Sequence, residues 1–325
     1  MARAFSGIQP SGSPHLGNYL GAFRRWADEQ SDDDLFCVVD LHAMTTPYDP
    51  EELRAKTIEL ASWLLAAGLD PDRCILFVQS HVREHSELAW ILNCVATMGE
   101  LGRMVQYKEK SKGSDSVSAG LFTYPVLQAA DILLYQADEV PIGDDQRQHL
   151  ELSRDIAQRF NHRYGETFTV PTATFPRAGA RIMDLQDANA KMSKSSATLQ
   201  GVIDLADDEK STERKIKRAV TDSGGEVRAA PDKPGVTNLL DLFSAVTGAD
   251  VEELEQRYQG QGYGAFKAEV AEVVNGVLRP VRQRHAELAA DPGTVAEVLH
   301  KGADRARAIA TGTMAIVRER VGLLP

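Results

Sequence analysis

Short apolar runs alternate with stretches of helical period through the first third of the chain. Ala4–Ile8 reads as a brief extended segment, and the Pro and Gly residues of Gln9-Pro10-Ser11-Gly12-Ser13-Pro14 punctuate a loop before a helix over about Gly17–Gln30. Leu35-Phe36-Cys37-Val38-Val39-Asp40 is a continuous apolar run of the kind found in strands covered on both faces. Asp49-Pro50-Glu51 reads as an N-cap with Pro at the first helical position, opening a helix through Leu53, Thr57, Leu60, Ala61, Leu64 and Leu65. Ile75–Val78 predicts a third strand and Ser86–Met98 the next helix. This alternation predicts an α/β fold with a Rossmann-like parallel sheet and helical crossovers.

After residue 200 the pattern is almost entirely helical. Thr237 reads as an N-cap before Leu239, Leu240, Leu242 and Phe243, and Val270, Val273, Val274, Val277, Leu278 and Val281 recur at helical spacing, with a kink expected at Pro280. The parse is therefore a catalytic-type domain over 1–198 and an all-helical C-terminal module over 199–325, whose last helix can pack back on the first domain.

Composition narrows the partners. The 325 residues carry 36 Lys and Arg against 47 Asp and Glu, a formal charge of −11 that argues against holding nucleic acid by bulk charge. No apolar run approaches the ~20 residues needed to cross a bilayer, and Met1–Gly7 lacks the apolar core of a secretory signal. A cytoplasmic protein is expected. Cys37, Cys74 and Cys94 have no paired spacing and read as buried reduced thiols, Cys94 because it lies between Trp90 and Met98.

Two loops carry candidate chemistry. A strand, a Gly/Ser/Pro loop and a helix start favour an anion through unpaired N–H groups, and in His15-Leu16-Gly17-Asn18 two polar side chains flank a glycine. An Asn at a helix start serves equally well as a structural cap. Lys191-Met192-Ser193-Lys194-Ser195 sets two lysines three apart on a Ser-rich loop, suited to a polyphosphate or simply to a solvated turn. The string His81-Val82-Arg83-Glu84-His85 matches an inverted zinc motif, but only one of its histidines falls near a helix and no third ligand is apparent, so no protein-held metal is expected.

Taken together, Phe5–Gly12 with His15–Asn18, Tyr124–Asp131, Pro141–Gln146 with His149, and Lys191–Ser195 resemble the bacterial tryptophanyl-tRNA synthetases, class I enzymes in which HLGN replaces the class motif HIGH and KMSKS recurs. The resemblance spans the whole chain. It implies a class I synthetase insertion at about 100–140 that forms a homodimer, and a C-terminal module that binds the tRNA anticodon. It implies activation of L-tryptophan by ATP, with Mg2+ as the nucleotide's counter-ion and no tightly bound cofactor, followed by transfer to tRNA(Trp).

Carried over residue by residue, Gln9, Pro10, Ser11, Gly17, Asn18, Gly143, Asp144, Asp145, Ile182, Lys191, Met192, Ser193, Lys194 and Ser195 match ATP-site positions. Lys191, Lys194, Asn18 and Gln9 would carry the catalytic work. A Gly-flexible loop with Lys108 and Lys110 resembles a further phosphate contact. The tryptophan pocket would use Phe5, His42, Tyr124, Gln128, Asp131 and Gln146, with Asp131 accepting the indole N–H. Many relatives carry Met where this chain has Gln128, and the same string resembles tyrosyl-tRNA synthetases, so tyrosine is the second candidate substrate. A small adenylyltransferase and a non-catalytic RNA-binding or regulatory paralogue are further alternatives. For tRNA, two basic clusters are candidates: Lys210, Arg214, Lys215, Lys217 and Arg218, and Arg279, Arg282, Arg284 and His285.

Overall fold

The computed structural model describes residues 2–111, 116–175, 182–193 and 198–324. Three strands, β1 (Phe5–Ile8), β2 (Leu35–Val38) and β3 (Ile75–Val78), pair in parallel in that order. A second parallel pair, β4 (Glu139–Pro141) with β5 (Thr172–Thr174), joins the first through a parallel bridge from Ala4 to Glu139. The spatial order is thus β3-β2-β1-β4-β5, and the chain reverses its direction of travel across the sheet between β1 and β4. In such sheets the crevice at the carboxyl ends of the strands, where the order reverses, is the natural ligand site.

Alternation along each strand builds two cores. Phe36, Val38, Leu76 and Val78 face one, with Trp63 and Leu278, while Phe5, Leu35, Cys37, Ile75 and Phe77 face the other, with Leu88 and Ala130. Four consecutive apolar residues in β2 and in β3 follow directly from burial on both faces. Asp49 caps the Pro50–Ala66 helix by accepting from the N–H groups of Glu51 and Glu52, both at 2.9 Å.

The last helix, Pro292–Val321, covers the outer edge of β3, which would otherwise present unpaired backbone groups. Gly302 lets its backbone touch the strand, because a Cβ there would lie 1.8 Å from the Leu76 carbonyl oxygen. Arg305 donates to the carbonyls of Cys74 and Pro71, and Arg318 pairs with Glu87 through two hydrogen bonds.

Several local expectations change. Lys108 and Lys110 lie on a helix, Val105–Ser111, and not on a loop; Gln106, Lys108, Glu109 and Lys110 are all good helix formers. Thr237 sits inside the helix Pro234–Thr247, which Pro234 already opens, and its hydroxyl bonds the Lys233 carbonyl at 3.0 Å. The helix Tyr263–Ala290 continues past Pro280, the position at which a kink is expected. Cys94 is exposed, because it shares with Trp90 a face turned away from both cores. Three of the basic candidates are used internally: Lys215 pairs with Asp207 at 2.6 Å, Arg282 donates to Leu205, Asn275 and Thr212, and His285 stacks on Trp63 at 3.6 Å.

Glu100 links this frame to pH. Its carboxyl is held down at about 2, first by its hydrogen bonds from Arg159 and then by Thr97, against the opposing effect of burial. The unfolded chain binds that proton near 4.3, so the pair stabilises the fold fully above about pH 4.5 and loses its effect as pH falls through about 2. Glu100→Gln is expected to cost about 1 kcal/mol at pH 7, a value kept small by solvent screening. Melting curves should show the gap between parent and variant closing towards pH 2.

Candidate active site

The Ala119–Leu133 helix brings Tyr124, Gln128 and Asp131 to one side by its i, i+4, i+7 spacing, and that side faces the sheet's switch point. A cavity of about 420 Å3 lies there, lined by Phe5, Gln9, His42, Tyr124, Gln128, Asp131, Gly143 and Gln146 among others. All six residues matched to the tryptophan pocket therefore share one wall, together with two matched to the ATP site.

Asp131 is 1% exposed, and a buried carboxylate is tolerable only if well partnered. Its Oδ1 accepts from Gln79 Nε2 and His85 Nδ1, both at 2.6 Å, and its Oδ2 accepts from His42 Nε2 at 2.7 Å. His85 Nε2 in turn meets the Tyr135 hydroxyl at 2.7 Å. An acceptor-only carboxylate requires a proton on His85 Nδ1, so Nδ1 donates to Asp131 while Nε2 meets the Tyr135 hydroxyl. Burial by itself would raise the Asp131 pKa, but the charge and hydrogen bond of His42, then those of His85, outweigh it and hold the carboxyl well below the usual range. A carboxylate offers about four acceptor positions, and the three bonds to Asp131 leave one on Oδ2, at the cavity wall.

Tyr124 is fixed from behind. Its hydroxyl lies 2.6 Å from His149 Nε2 and 3.1 Å from Gln106 Oε1, and burial pushes its pKa up to about 12. Gln128 Nε2 reaches Gln146 Oε1 at 3.3 Å, and Gln146 Nε2 donates to Asp145 Oδ2 at 2.8 Å. Gln79, His85 and Gln106 were not singled out from the sequence as site residues. The position of Gln79 directly after β3, at the carboxyl edge of the sheet, is the one signal that pointed to it. Both His85 nitrogens are occupied and His81 stacks on His300, so the two histidines of the zinc-like string look in different directions.

The two motif loops meet beside this cavity. His15 caps the short helix Leu16–Asn18, and the Asn18 side-chain oxygen accepts the His15 backbone N–H at 3.1 Å, so Asn18 is a structural cap at that atom. A Cβ on Gly17 would lie 3.0 Å from His15 Nδ1 and 3.9 Å from Met192 Cβ. Met192 donates its N–H to the Ile182 carbonyl at 3.0 Å, and Lys191 bridges Met183. Gly17, Ile182, Lys191, Met192 and Ser193 thus form one neighbourhood, while Pro10 is buried and Ser11 bends back to the Gln9 carbonyl at 2.9 Å. Lys194, Ser195 and the side chains of Lys110 and Asp144 lie outside the described residues.

This geometry, a polar-floored pocket at the switch point with a Gly-containing helix start and a lysine turn beside it, has counterparts. The family model for class I tRNA synthetases (W and Y) matches residues 1–279. Tryptophan–tRNA ligase 2 of Streptomyces avermitilis is 56% identical over 99% of this chain and 97% of its own length. Tryptophan–tRNA ligase of Caldanaerobacter subterraneus subsp. tengcongensis is 53% identical over 100% and 99%. Among solved structures, tryptophanyl-tRNA synthetase from Campylobacter jejuni, complexed with ADP and tryptophan, superimposes with a TM-score of 0.86 at 38% identity over 99% of this chain and 100% of that one. A tyrosyl-tRNA synthetase from Aeropyrum pernix shares the fold, with a TM-score of 0.68 at 22% identity over 92% of this chain and 89% of that one. Pocket, loops and relatives converge: the chain belongs to the class I tRNA synthetases of the tryptophan and tyrosine type.

Proposed function

We propose that the protein is a tryptophan–tRNA ligase: it activates L-tryptophan with ATP and transfers the aminoacyl group to tRNA(Trp). The observation that carries the substrate is Asp131, ionised at the pocket wall with one acceptor position left for an indole N–H. In the first step a tryptophan carboxylate oxygen attacks the α-phosphorus of ATP. The bond to the oxygen bridging the α- and β-phosphorus breaks, and pyrophosphate leaves. In the second, a ribose hydroxyl at the tRNA 3′ end attacks the adenylate carbonyl and AMP leaves. Such displacements ask the protein for positioning and charge stabilisation. Gln9, Gly17, Gly143 and Ile182 are suited to holding the nucleotide, and Lys191 and Lys194 to meeting charge that builds on the phosphates. Mg2+ enters as ATP's counter-ion.

ATP–pyrophosphate exchange tests the reading. Tryptophan should support exchange and tyrosine should not; tyrosine-only exchange would overturn it. Lys191→Ala and Lys194→Ala are each expected to lower the exchange rate about 10²-fold, with less effect on ATP affinity.

Trp90 is 73% and Met98 75% exposed, with Cys94 between them. Exposed apolar side chains of this size, just ahead of the segment at about 100–140, support a homodimer formed there, which sedimentation velocity would read. Lys210, Arg214, Lys217, Arg218, Arg279 and Arg284 are the exposed candidates for tRNA phosphates in the helical module. A folded surface with local basic patches reconciles this role with the chain's net charge of −11. The cytoplasm, where tRNA is charged, is the compartment this reading assigns.

A further inference from the structure

A second cavity, of about 380 Å3, lies behind the Asp40–Ala43 helix and shares no lining residue with the first. Its wall is apolar, from Leu53 and Ile58 on the Pro50–Ala66 helix, Val78 at the end of β3, and Leu299 on the last helix. Its polar groups are Arg54, His81, His300, Thr57, Ser80 and Asp40.

One cation and one acid line the cavity, and of the two only the acid is tied into the fold. Asp40, the one acid, is committed to the fold by three bonds: Oδ1 accepts the N–H groups of Leu41 and Ser80, both at 3.0 Å, and Oδ2 accepts the Ser80 hydroxyl at 2.5 Å, which leaves one acceptor position on Oδ2. Arg54 is exposed and makes no hydrogen bond or ion pair among the described residues. His81 Nδ1 is buried without a hydrogen-bond partner, and its ring stacks on His300 with centroids 5.3 Å apart. A buried nitrogen left unpaired in a native fold calls for an explanation. His300 Nδ1 is held by the Ala296 carbonyl at 2.8 Å, so the free Arg54 guanidinium beside the unpartnered His81 Nδ1, above an apolar wall, is what matches a carboxylate carried on a small hydrocarbon body, since the guanidinium fork fits a carboxylate's two oxygens.

The same two chain segments serve both cavities. Asp40 and Ser80 line the second, while their neighbours His42 and Gln79 hold Asp131 in the first. The Leu41 N–H, next to Asp40, donates to Gln79 Oε1 at 3.1 Å. We propose that the cavity between Arg54, His81 and His300 binds a small aromatic or branched aliphatic monocarboxylate, and that its occupancy alters tryptophan affinity through the 40–42 and 79–81 segments. The coupling rests on the tryptophan reading of the first cavity; the binding does not.

Calorimetry on the full-length protein, with benzoate as probe and benzylamine and benzyl alcohol as its cationic and neutral counterparts, tests both parts. Benzoate should bind saturably at one site and the counterparts should not. Arg54→Ala should weaken benzoate at least tenfold, and Ala296→Trp, which fills the cavity from the last helix, should abolish its binding. Both variants should keep parental melting and basal tryptophan exchange within twofold. Equal binding of benzylamine, or benzoate binding that Arg54→Ala leaves intact and tryptophan displaces, would overturn the site. Saturating benzoate should change tryptophan's Kd about fivefold or more in the parent and not in Arg54→Ala. Arg54-dependent benzoate binding with an unchanged tryptophan Kd would overturn the coupling.

Discussion

Asp131→Asn is expected to lower kcat/KM for tryptophan in pyrophosphate exchange by about 10²- to 10³-fold, corresponding to about 3–4 kcal/mol. The substitution keeps the side chain's size and removes its charge. Wherever the new NH2 points, it meets a donor: Gln79 and His85 on the Oδ1 side, or His42 together with the substrate's indole N–H on the Oδ2 side. Gln79 cannot rotate its amide to compensate without losing the bond that its Oε1 accepts from Leu41. The neighbours hold the Asp131 pKa well below its ordinary value, so the wild-type group is ionised throughout the working range and the defect should not be rescued by raising pH. Tyrosine should not become a substrate, because the lost acceptor is not replaced by anything that selects a phenol. Near-parental exchange in a variant whose melting curve is also parental would remove Asp131 from substrate recognition. If the variant melts far below the parent, Tyr135→Phe gives a second reading. It deletes only the hydroxyl that His85 Nε2 meets and should raise the KM for tryptophan a few-fold while leaving kcat in place.

The way this site was and was not legible follows from what spacing can carry. Tyr124, Gln128 and Asp131 fall on one helix, and intervals of four and three residues are enough to put them on one face. The strand–loop–helix and lysine-turn segments could be marked as candidate phosphate contacts for the same local reason. Gln79 and His85 reach Asp131 from elements 52 and 46 residues away, and no local pattern encodes a pairing made across the fold. Asn18 was ambiguous between ligand and cap, and the fold gives its oxygen to the cap.

Two misreadings have one cause. Trp90 and Met98 on either side predict a buried Cys94, yet hydrophobic neighbours show only that a face is apolar, not that this chain covers it. The apolar run after Thr237 predicts a helix start there, although Pro234, three residues earlier, carries the stronger start signal. In both, composition near a residue was read in place of geometry. The strands escaped the error because β2 and β3 are apolar at every position, which only burial on both faces explains.

The last helix allows a prediction in which one substitution takes opposite signs at two places. At Gly302 an added methyl would sit 1.8 Å from the Leu76 carbonyl oxygen and 2.7 Å from its carbon, both backbone atoms of β3, which its pairing with β2 keeps from swinging aside. Gly302→Ala must therefore move the helix off β3, straining the Arg305 bonds to Cys74 and Pro71 and opening the strand's edge. Overpacking costs about 1–3 kcal/mol, and contact with rigid backbone places this case at the upper end. The gain of about 1 kcal/mol from replacing Gly by Ala in a helix offsets only part of that. At Gly312, an exposed position about three turns further along the same helix, nothing lies within 4 Å of the added methyl. There the propensity gain acts alone, so Gly312→Ala should stabilise by about 0.5–1 kcal/mol. Melting temperatures in one buffer should fall by several degrees for Gly302→Ala and rise by about one degree for Gly312→Ala. If the two shifts had the same sign, helix propensity rather than the approach to Leu76 would govern this edge, and the contact that seals β3 would have been assigned to the wrong residue.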